Sequence, residues 1–291
     1  MKSILGYKKI LFFLFSVVLV GEVFSNGKIV NTSMPCKLLE GISSREYSIY
    51  LPESYGKEKN KKYPVCYLLH GGNCSCTDWE TYGNLRVVAD SLINCGEMEE
   101  MIIVCPEGNK NNMIWFNASH WKYEDFFFLE FIPYIEKNYN VDARKESRFI
   151  AGYSMGGGAS IVYGLSHPDK FSSVYSMSGY LRRQYLEFLK DDPSAEWRQQ
   201  LVEDHNPIRT VNEISDGRVD AWKGVDWFID CGDKDFTYEA NIALVQAFRD
   251  KKVNYQLRIY GGGHDWNYWR PSLVRALKHM SDVYRSINRK K

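Results

Sequence analysis

The chain has 291 residues and a formal net charge of +1, with 37 Lys and Arg against 36 Asp and Glu. So even a balance gives no global attraction to nucleic acid or to an anionic membrane surface, and neither is expected as a partner. Apolar residues make up 44% and charged residues 25%, which suits a chain with a sizeable core and excludes a disordered or collagen-like one.

In chain order, a targeting segment comes first. Lys2, Lys8 and Lys9 precede the apolar run ILFFLFSVVLV at residues 10–20. That run is too short to span a bilayer comfortably and has the length of a secretory h-region. Val23 and Ser25 then stand at the small-residue positions that a signal peptidase reads. The expectation is a cleaved signal peptide over 1–25 and a secreted or periplasmic protein, with no stable membrane association after cleavage. An uncleaved anchor is the alternative.

Residues 26–291 read as a single domain. Short apolar runs at 46–51, 63–69, 101–104, 148–152, 173–177, 227–231 and 255–260 predict strands. The stretches 84–94, 123–138, 155–166, 238–251 and 271–287 predict helices. Pro271, near the start of the last of these, suits a first helical turn, where its missing N–H costs nothing. Strands alternating with helices predict an α/β fold: a mostly parallel central sheet with helices on both faces. The segment 181–225 breaks the rhythm. It holds no strand pattern, mixes helical stretches with Pro193, Pro207 and Gly217, and reads as a small helical insertion that walls a pocket near one end of the sheet. Plain surface packing is the alternative.

Seven cysteines stand at 36, 66, 74, 76, 95, 105 and 231, an odd number that leaves at least one thiol unpaired within the chain. Cys66, Cys105 and Cys231 lie in or beside strand runs and read as buried, inert thiols. Cys36, Cys74, Cys76 and Cys95 are the candidates for pairing in an oxidising compartment. Cys74-Ser75-Cys76 lacks the further Cys and His ligands of a zinc site, and neither metal nor cofactor is expected.

The chemistry centres on RFIAGYSMGGGAS, residues 148–160. Gly152-Tyr153-Ser154-Met155-Gly156 fits G-x-S-x-G, in which the serine sits on a strained strand-to-helix turn and side chains at the two glycines would collide across it. The pentapeptide alone is a weak signal. An apolar strand before it and a helix-forming stretch after it strengthen the reading of Ser154 as a nucleophile.

A serine hydroxyl needs a base to take its proton and a third group to orient that base. On this architecture the acid and then the histidine follow the serine in the chain. Of the three later histidines, His264 stands in YGGGHDWNYW directly after a strand, His279 falls on what reads as a solvated helix face, and His205 lies in the insertion. His264 is therefore the base and His205 the runner-up. His70, His120 and His167 precede the acid and read as structural, or for the first two at most pocket-lining. WFIDCGDKDF offers Asp230 within the strand, Asp233 in the turn and Asp235 just beyond it. Asp235 is the expected acid and Asp233 the alternative. The oxyanion of a tetrahedral intermediate needs two donors. The backbone N–H of Met155 is one, and Gly72, in the glycine pair after strand 63–69, supplies the other.

YLLHGG with a following DW, then GYSMGG, CGDKDF and GGGHDWNYW, resemble the esterase D-like branch of the α/β-hydrolases. Within it the closest resemblance is to carbohydrate esterase family 1, which holds feruloyl and acetylxylan esterases. The likeness runs from about Tyr47 to the C-terminus, and GYSMGG and GGGHDWNYW with Arg270-Pro271 are its specific parts. It implies the α/β-hydrolase fold, Ser154, His264 and Asp235 as nucleophile, base and acid, and Met155 with Gly72 as the oxyanion hole. The chain departs from the family around 181–225, where the resemblance says least about the substrate. Other members of the branch hydrolyse S-formylglutathione, which a signal sequence argues against, or transfer mycolyl groups.

Aromatic residues reach 15%. Trp79, Trp115, Trp121, Trp266 and Trp269 fall near the loops of the expected catalytic end, where they are candidates to stack on a phenolic acyl group or a sugar. The expected substrate-binding set is Trp79, Trp115, Trp266 and Trp269, although at least two of the five are expected only to pack loops. Asn31, Asn73 and Asn117 begin glycosylation sequons, which matter only in a host that glycosylates. The expectation is a secreted serine esterase acting on feruloyl or acetyl esters of plant polysaccharide or oligosaccharide. A general short-chain carboxylesterase, an acyltransferase and a non-catalytic carbohydrate-binding protein are the competing readings. The sequence carries no signal for an oligomeric state.

Overall fold

The computed structural model describes residues 26–108, 115–118, 121–187 and 190–289; the segment 1–25 and His120 lie outside the described residues. The chain enters through β1 (Lys28–Pro35) and β2 (Ser44–Leu51), an antiparallel pair at one edge of the sheet. β3 (Val65–Leu69) leads through a short α1 (Asp78–Thr81) and α2 (Leu85–Asn94) to β4 (Ile102–Pro106). A two-residue hairpin follows, β5 (Asn117–Ala118) with β6 (Trp121–Lys122).

Residues 123–138, expected as one helix, are α3 (Tyr123–Phe126), a π-helical segment (Phe127–Phe131) and α4 (Ile132–Asn138). The reason is Pro133. It cannot donate to the carbonyl one turn back and its ring crowds that carbonyl, so the turn before it widens.

The second half alternates regularly. β7 (Arg148–Tyr153), α5 (Met155–Ser166) and β8 (Ser173–Met177) come first. The insertion then contributes α6 (Ala195–Asp204), α7 (Pro207–Glu213) and α8 (Asp216–Lys223), and no strand among its described residues. β9 (Asp226–Gly232), α9 (Tyr238–Asp250), β10 (Gln256–Tyr260) and α10 (Trp266–Asn288) close the chain.

The eight strands lie in the order β1-β2-β4-β3-β7-β8-β9-β10. Within this sheet β4, β3, β7, β8, β9 and β10 run parallel, and β2 runs against both of its neighbours, β1 and β4. This is the expected mostly parallel α/β-hydrolase sheet with one strand, β1, added at its edge.

Alternation along the strands splits the core in two. In β3, Val65, Tyr67 and Leu69 face one apolar layer while Cys66 and Leu68 face the other. Helices α5 and α9, with the 123–138 stretch, cover the first layer, and α2 with α10 cover the second. Side chains of opposite parity thus serve opposite faces, as the two-residue strand period requires.

A further expectation needs correction. Pro271 does not open the last helix, which starts at Trp266. Asp265 caps it instead, its Oδ1 accepting from the N–H groups of Asn267 (2.8 Å) and Tyr268 (3.3 Å). Among the described residues no disulfide forms; Cys36 and Cys76 are buried, while Cys95 is exposed.

The parallel topology decides where chemistry can occur. The carboxyl ends of β3, β7, β8 and β9, with the loop after β10, come together at one rim of the sheet. Ligands of open α/β sheets bind at that rim.

Candidate active site

Ser154 joins β7 to α5 with φ 54° and ψ −120°, a left-handed conformation that only a well-determined turn imposes on a serine. Three backbone bonds hold it. Ser154 N–H donates to Met177 O (3.0 Å), and the Ser154 carbonyl accepts from Gly158 (3.0 Å) and Tyr180 (2.8 Å). The flanking glycines are steric necessities. A Cβ on Gly152 would lie 2.5 Å from the Gly156 carbonyl carbon, and one on Gly156 would lie 2.5 Å from His70 O. The hydroxyl is thereby pushed clear of the sheet, half-exposed.

His264 Nε2 lies 2.8 Å from Ser154 Oγ. Its Nδ1 lies 2.9 Å from both carboxylate oxygens of Asp235. Asp235 is buried and also accepts from Thr237 N–H and Oγ1–H, both at 2.8 Å. Burial alone would raise its pKa, but the bond from His264, that ring's field and the Thr237 N–H outweigh it and hold the carboxyl below its ordinary value. Asp235 therefore stays an anion and keeps the proton of His264 on Nδ1. Nε2 is left as the acceptor for the Ser154 hydroxyl.

The alternatives lie elsewhere. Asp233 is exposed and accepts from Gly262 N–H (2.9 Å), a bond that shapes the loop before His264. Asp230 is fully buried and binds Tyr175 Oη–H (2.8 Å) and Ser272 Oγ–H (3.2 Å), fixing α10 to the sheet. His205 stacks flat on Phe116 at 4.4 Å. His279, expected on a solvated face, is mostly buried and pairs with Asp226 through Nε2. His167 packs on Phe128, 3.8 Å between ring centres.

His70 has a definite task. Its Nε2 accepts from Gly108 N–H (3.0 Å), so the proton sits on Nδ1 and donates to Gly71 O (2.8 Å). In a trans peptide the C=O and the next N–H point opposite ways. Holding the Gly71 carbonyl toward His70 thus turns Gly72 N–H the other way, and Gly72 lines the cleft over Ser154. Met155 begins α5, so its N–H has no carbonyl partner within the helix. Two backbone donors are available beside the serine.

The cleft at Ser154 is mainly apolar. Tyr180, Leu186, Val202, Phe236 and Trp269 line it, with Met155 beside the serine. The insertion contributes Leu186, Ala195, Arg198, Gln199 and Val202, so it does form a pocket wall. Arg198 is buried there, donating to Asn73 Oδ1 (2.7 Å) and pairing with Asp192.

The tryptophan expectation fails for three of the four. Trp79 is fully buried, its Nε1–H on Leu69 O (3.2 Å) and its ring edge-on to Tyr153. Trp115 is buried with Nε1–H on His70 O (3.2 Å), supporting the Gly71-Gly72 loop from behind. Trp266 is half-buried among Trp79, Trp269 and Tyr153 and does not line the cleft. Only Trp269 does, edge-on to His264 at 4.9 Å. Trp121, the fifth, is buried beneath Arg45. Trp79 and Trp266 are consumed in packing each other and Tyr153, and Trp115 and Trp121 in packing on Tyr123, which proximity in sequence does not reveal. Conversely, the sequence reading missed Phe236, whose ring centre lies 4.3 Å from that of His264, and Tyr180. Both follow the carboxyl end of a strand, and that position was the available signal.

A serine on a strained turn, a histidine bonded to it and a buried carboxylate behind define a class, the carboxylic ester hydrolases of the α/β-hydrolase fold. Residues 43–280 match the model of a family described as putative esterase, and the chain belongs to that family. A solved ferulic acid esterase superposes with a TM-score of 0.83 at 38% identity, covering 89% of this chain and 99% of that one. The resemblance to carbohydrate esterase family 1 accordingly holds. An endo-1,4-beta-xylanase/feruloyl esterase of Xylanibacter ruminicola is 34% identical over 45% of this chain and 19% of its own length. Esterase Rv1288 of Mycobacterium tuberculosis is 31% identical over 78% of this chain and 53% of its own. The chain thus spans about a fifth and about half of these two relatives.

Proposed function

We propose that this chain is an exported serine esterase that releases hydroxycinnamoyl groups, feruloyl above all, from plant cell-wall polysaccharides or oligosaccharides cut from them. The observation that carries the proposal is the continuous bond chain Ser154–His264–Asp235 at the floor of an apolar cleft.

In the reaction, Ser154 Oγ attacks the ester carbonyl while His264 Nε2 takes its proton. The carbonyl oxygen becomes an oxyanion facing Gly72 and Met155 N–H, and Asp235 stabilises the imidazolium that forms. Collapse breaks the bond to the sugar oxygen, which leaves with the proton from His264. Water, deprotonated by the same imidazole, then attacks the acyl-enzyme and regenerates Ser154 with a free carboxylic acid.

The acyl preference rests on the cleft. An acetyl group needs only a small hollow, whereas Trp269, Phe236 and Tyr180 offer apolar and aromatic wall on the scale of a planar phenylpropenoyl group. The likeness to a ferulic acid esterase over nearly its whole length supports the same acyl group. Export is supported by the basic residues and apolar run at 2–20.

Methyl ferulate, acetylated xylan and p-nitrophenyl butyrate assayed side by side test the proposal. Methyl ferulate is expected to give the highest kcat/KM, with each aromatic contact contributing ~0.5–1.5 kcal/mol. A clear preference for acetate would make the enzyme an acetyl esterase.

A further inference from the structure

We infer that a polar groove on the insertion, opening off the acyl cleft, is the subsite for the sugar that carries the ester. The inference rests on the esterase reading above and adds the surface that recognises the alcohol half of the substrate.

The cleft and the groove adjoin, with Leu186, Ala195 and Gln199 in the walls of both. The groove is the roomier of the two, ≈ 320 Å³ against ≈ 160 Å³ for the cleft, and the two differ in chemistry as well. The cleft is apolar. The groove is edged by Arg183, Lys190, Asp192 and Glu196, with Tyr185 beside them. An ester bound over Ser154 has two halves. If the planar acyl half fills the apolar cleft, an alkoxy half that leaves past Leu186, Ala195 and Gln199 meets the groove next.

Tyr185 is 81% exposed, the most exposed large apolar side chain among the described residues. Its hydroxyl is tied to Glu187 Oε2 (2.6 Å), which steadies a ring that packs on little else. An open aromatic face bordered by paired charges suits a sugar: the ring takes its C–H face, and guanidinium and carboxylate groups take its hydroxyls. The bordering pairs, Arg183–Glu196 (2.7 Å) and Lys190–Glu187 (2.9 Å), are solvent-exposed. Such pairs contribute little to stability, so sugar hydroxyls can replace them at small cost.

The groove is also tied to the catalytic loop. Asp192 in its wall pairs with Arg198, and Arg198 holds Asn73, the neighbour of Gly72. A sugar seated there is held in register with a carbonyl over Ser154.

The test compares feruloylated arabinoxylan oligosaccharide with methyl ferulate for wild type, Tyr185→Ala and Glu196→Ala, with circular dichroism to verify folding. In each variant the ratio of kcat/KM for the oligosaccharide to that for methyl ferulate is expected to fall ~3–10-fold, from the loss of an aromatic contact in Tyr185→Ala and of a hydrogen bond to the sugar in Glu196→Ala. An unchanged ratio, whether both rates hold or both fall together, would overturn the groove while leaving the esterase reading intact. Failure of the wild type to cleave methyl ferulate would instead defeat the esterase reading and this inference with it.

Discussion

Asp235 binds His264, whereas Asp233, two residues earlier, faces solvent and its carboxylate accepts from Gly262 N–H. Asp235→Asn would let the imidazole carry its proton on the wrong nitrogen, and kcat is expected to fall ~10⁴-fold. Asp233→Asn is expected to cost little, because it weakens one loop bond. Steady-state kinetics on both variants decide the matter, and reversed results would reassign the acid. His70 allows a finer test, because it positions a donor without touching substrate. His70→Ala frees the Gly71–Gly72 peptide and should lower kcat ~10–10²-fold with KM nearly unchanged, since an oxyanion donor acts chiefly in the transition state. His70→Asn restores an N–H near the place of Nδ1 but not the acceptor for Gly108. It should recover most of the rate and little of the stability. A role in packing alone predicts instead that rate and melting temperature recover or fail together.

At the scale of elements, the turn before β7 sets the register of the strand that delivers Ser154. Asp142 accepts there from Arg144 Nε (2.9 Å) and Ser147 Oγ (2.6 Å). Partial burial works to raise its pKa, but those bonds prevail and bring it down to about 2. The folded pKa lies below the unfolded one, so the contribution to stability is full above the ordinary carboxylate range near ~3.9 and is lost as pH falls toward 2. Asp142→Asn is therefore expected to lower the melting temperature at pH 6 and to lose that effect progressively below pH ~4. A destabilisation that persists undiminished at pH 2 would contradict the assignment. The elements themselves were unevenly legible. Helix 155–166 and the buried parallel strands stood out because each is a short apolar run closed by polar punctuation. β1 was not read, since KIVNTSMP lies mostly exposed at a sheet edge and shows no clear alternation. The start of α10 was misplaced because Asp265, not Pro271, provides its cap.

At the scale of the whole molecule, what the sequence could reveal is what a parallel sheet makes local. Ser154, Asp235 and His264 each sit a few residues past a strand, so motif and chain order were enough to name them together before their contact was seen. The cleft at Ser154 is different in kind. Its wall joins residues after β8 and β9 to Leu186 and Val202 of the insertion. No periodicity announces such long-range neighbours, and four of the five tryptophans pack on other aromatic rings away from the cleft. Ester hydrolysis by this chain requires Ser154 above all. Measured as kcat/KM for methyl ferulate on protein shown to be folded, Ser154→Ala is expected to lose ~10⁴–10⁶-fold, because the triad acts as a unit. Near-normal hydrolysis by the folded variant would contradict the account.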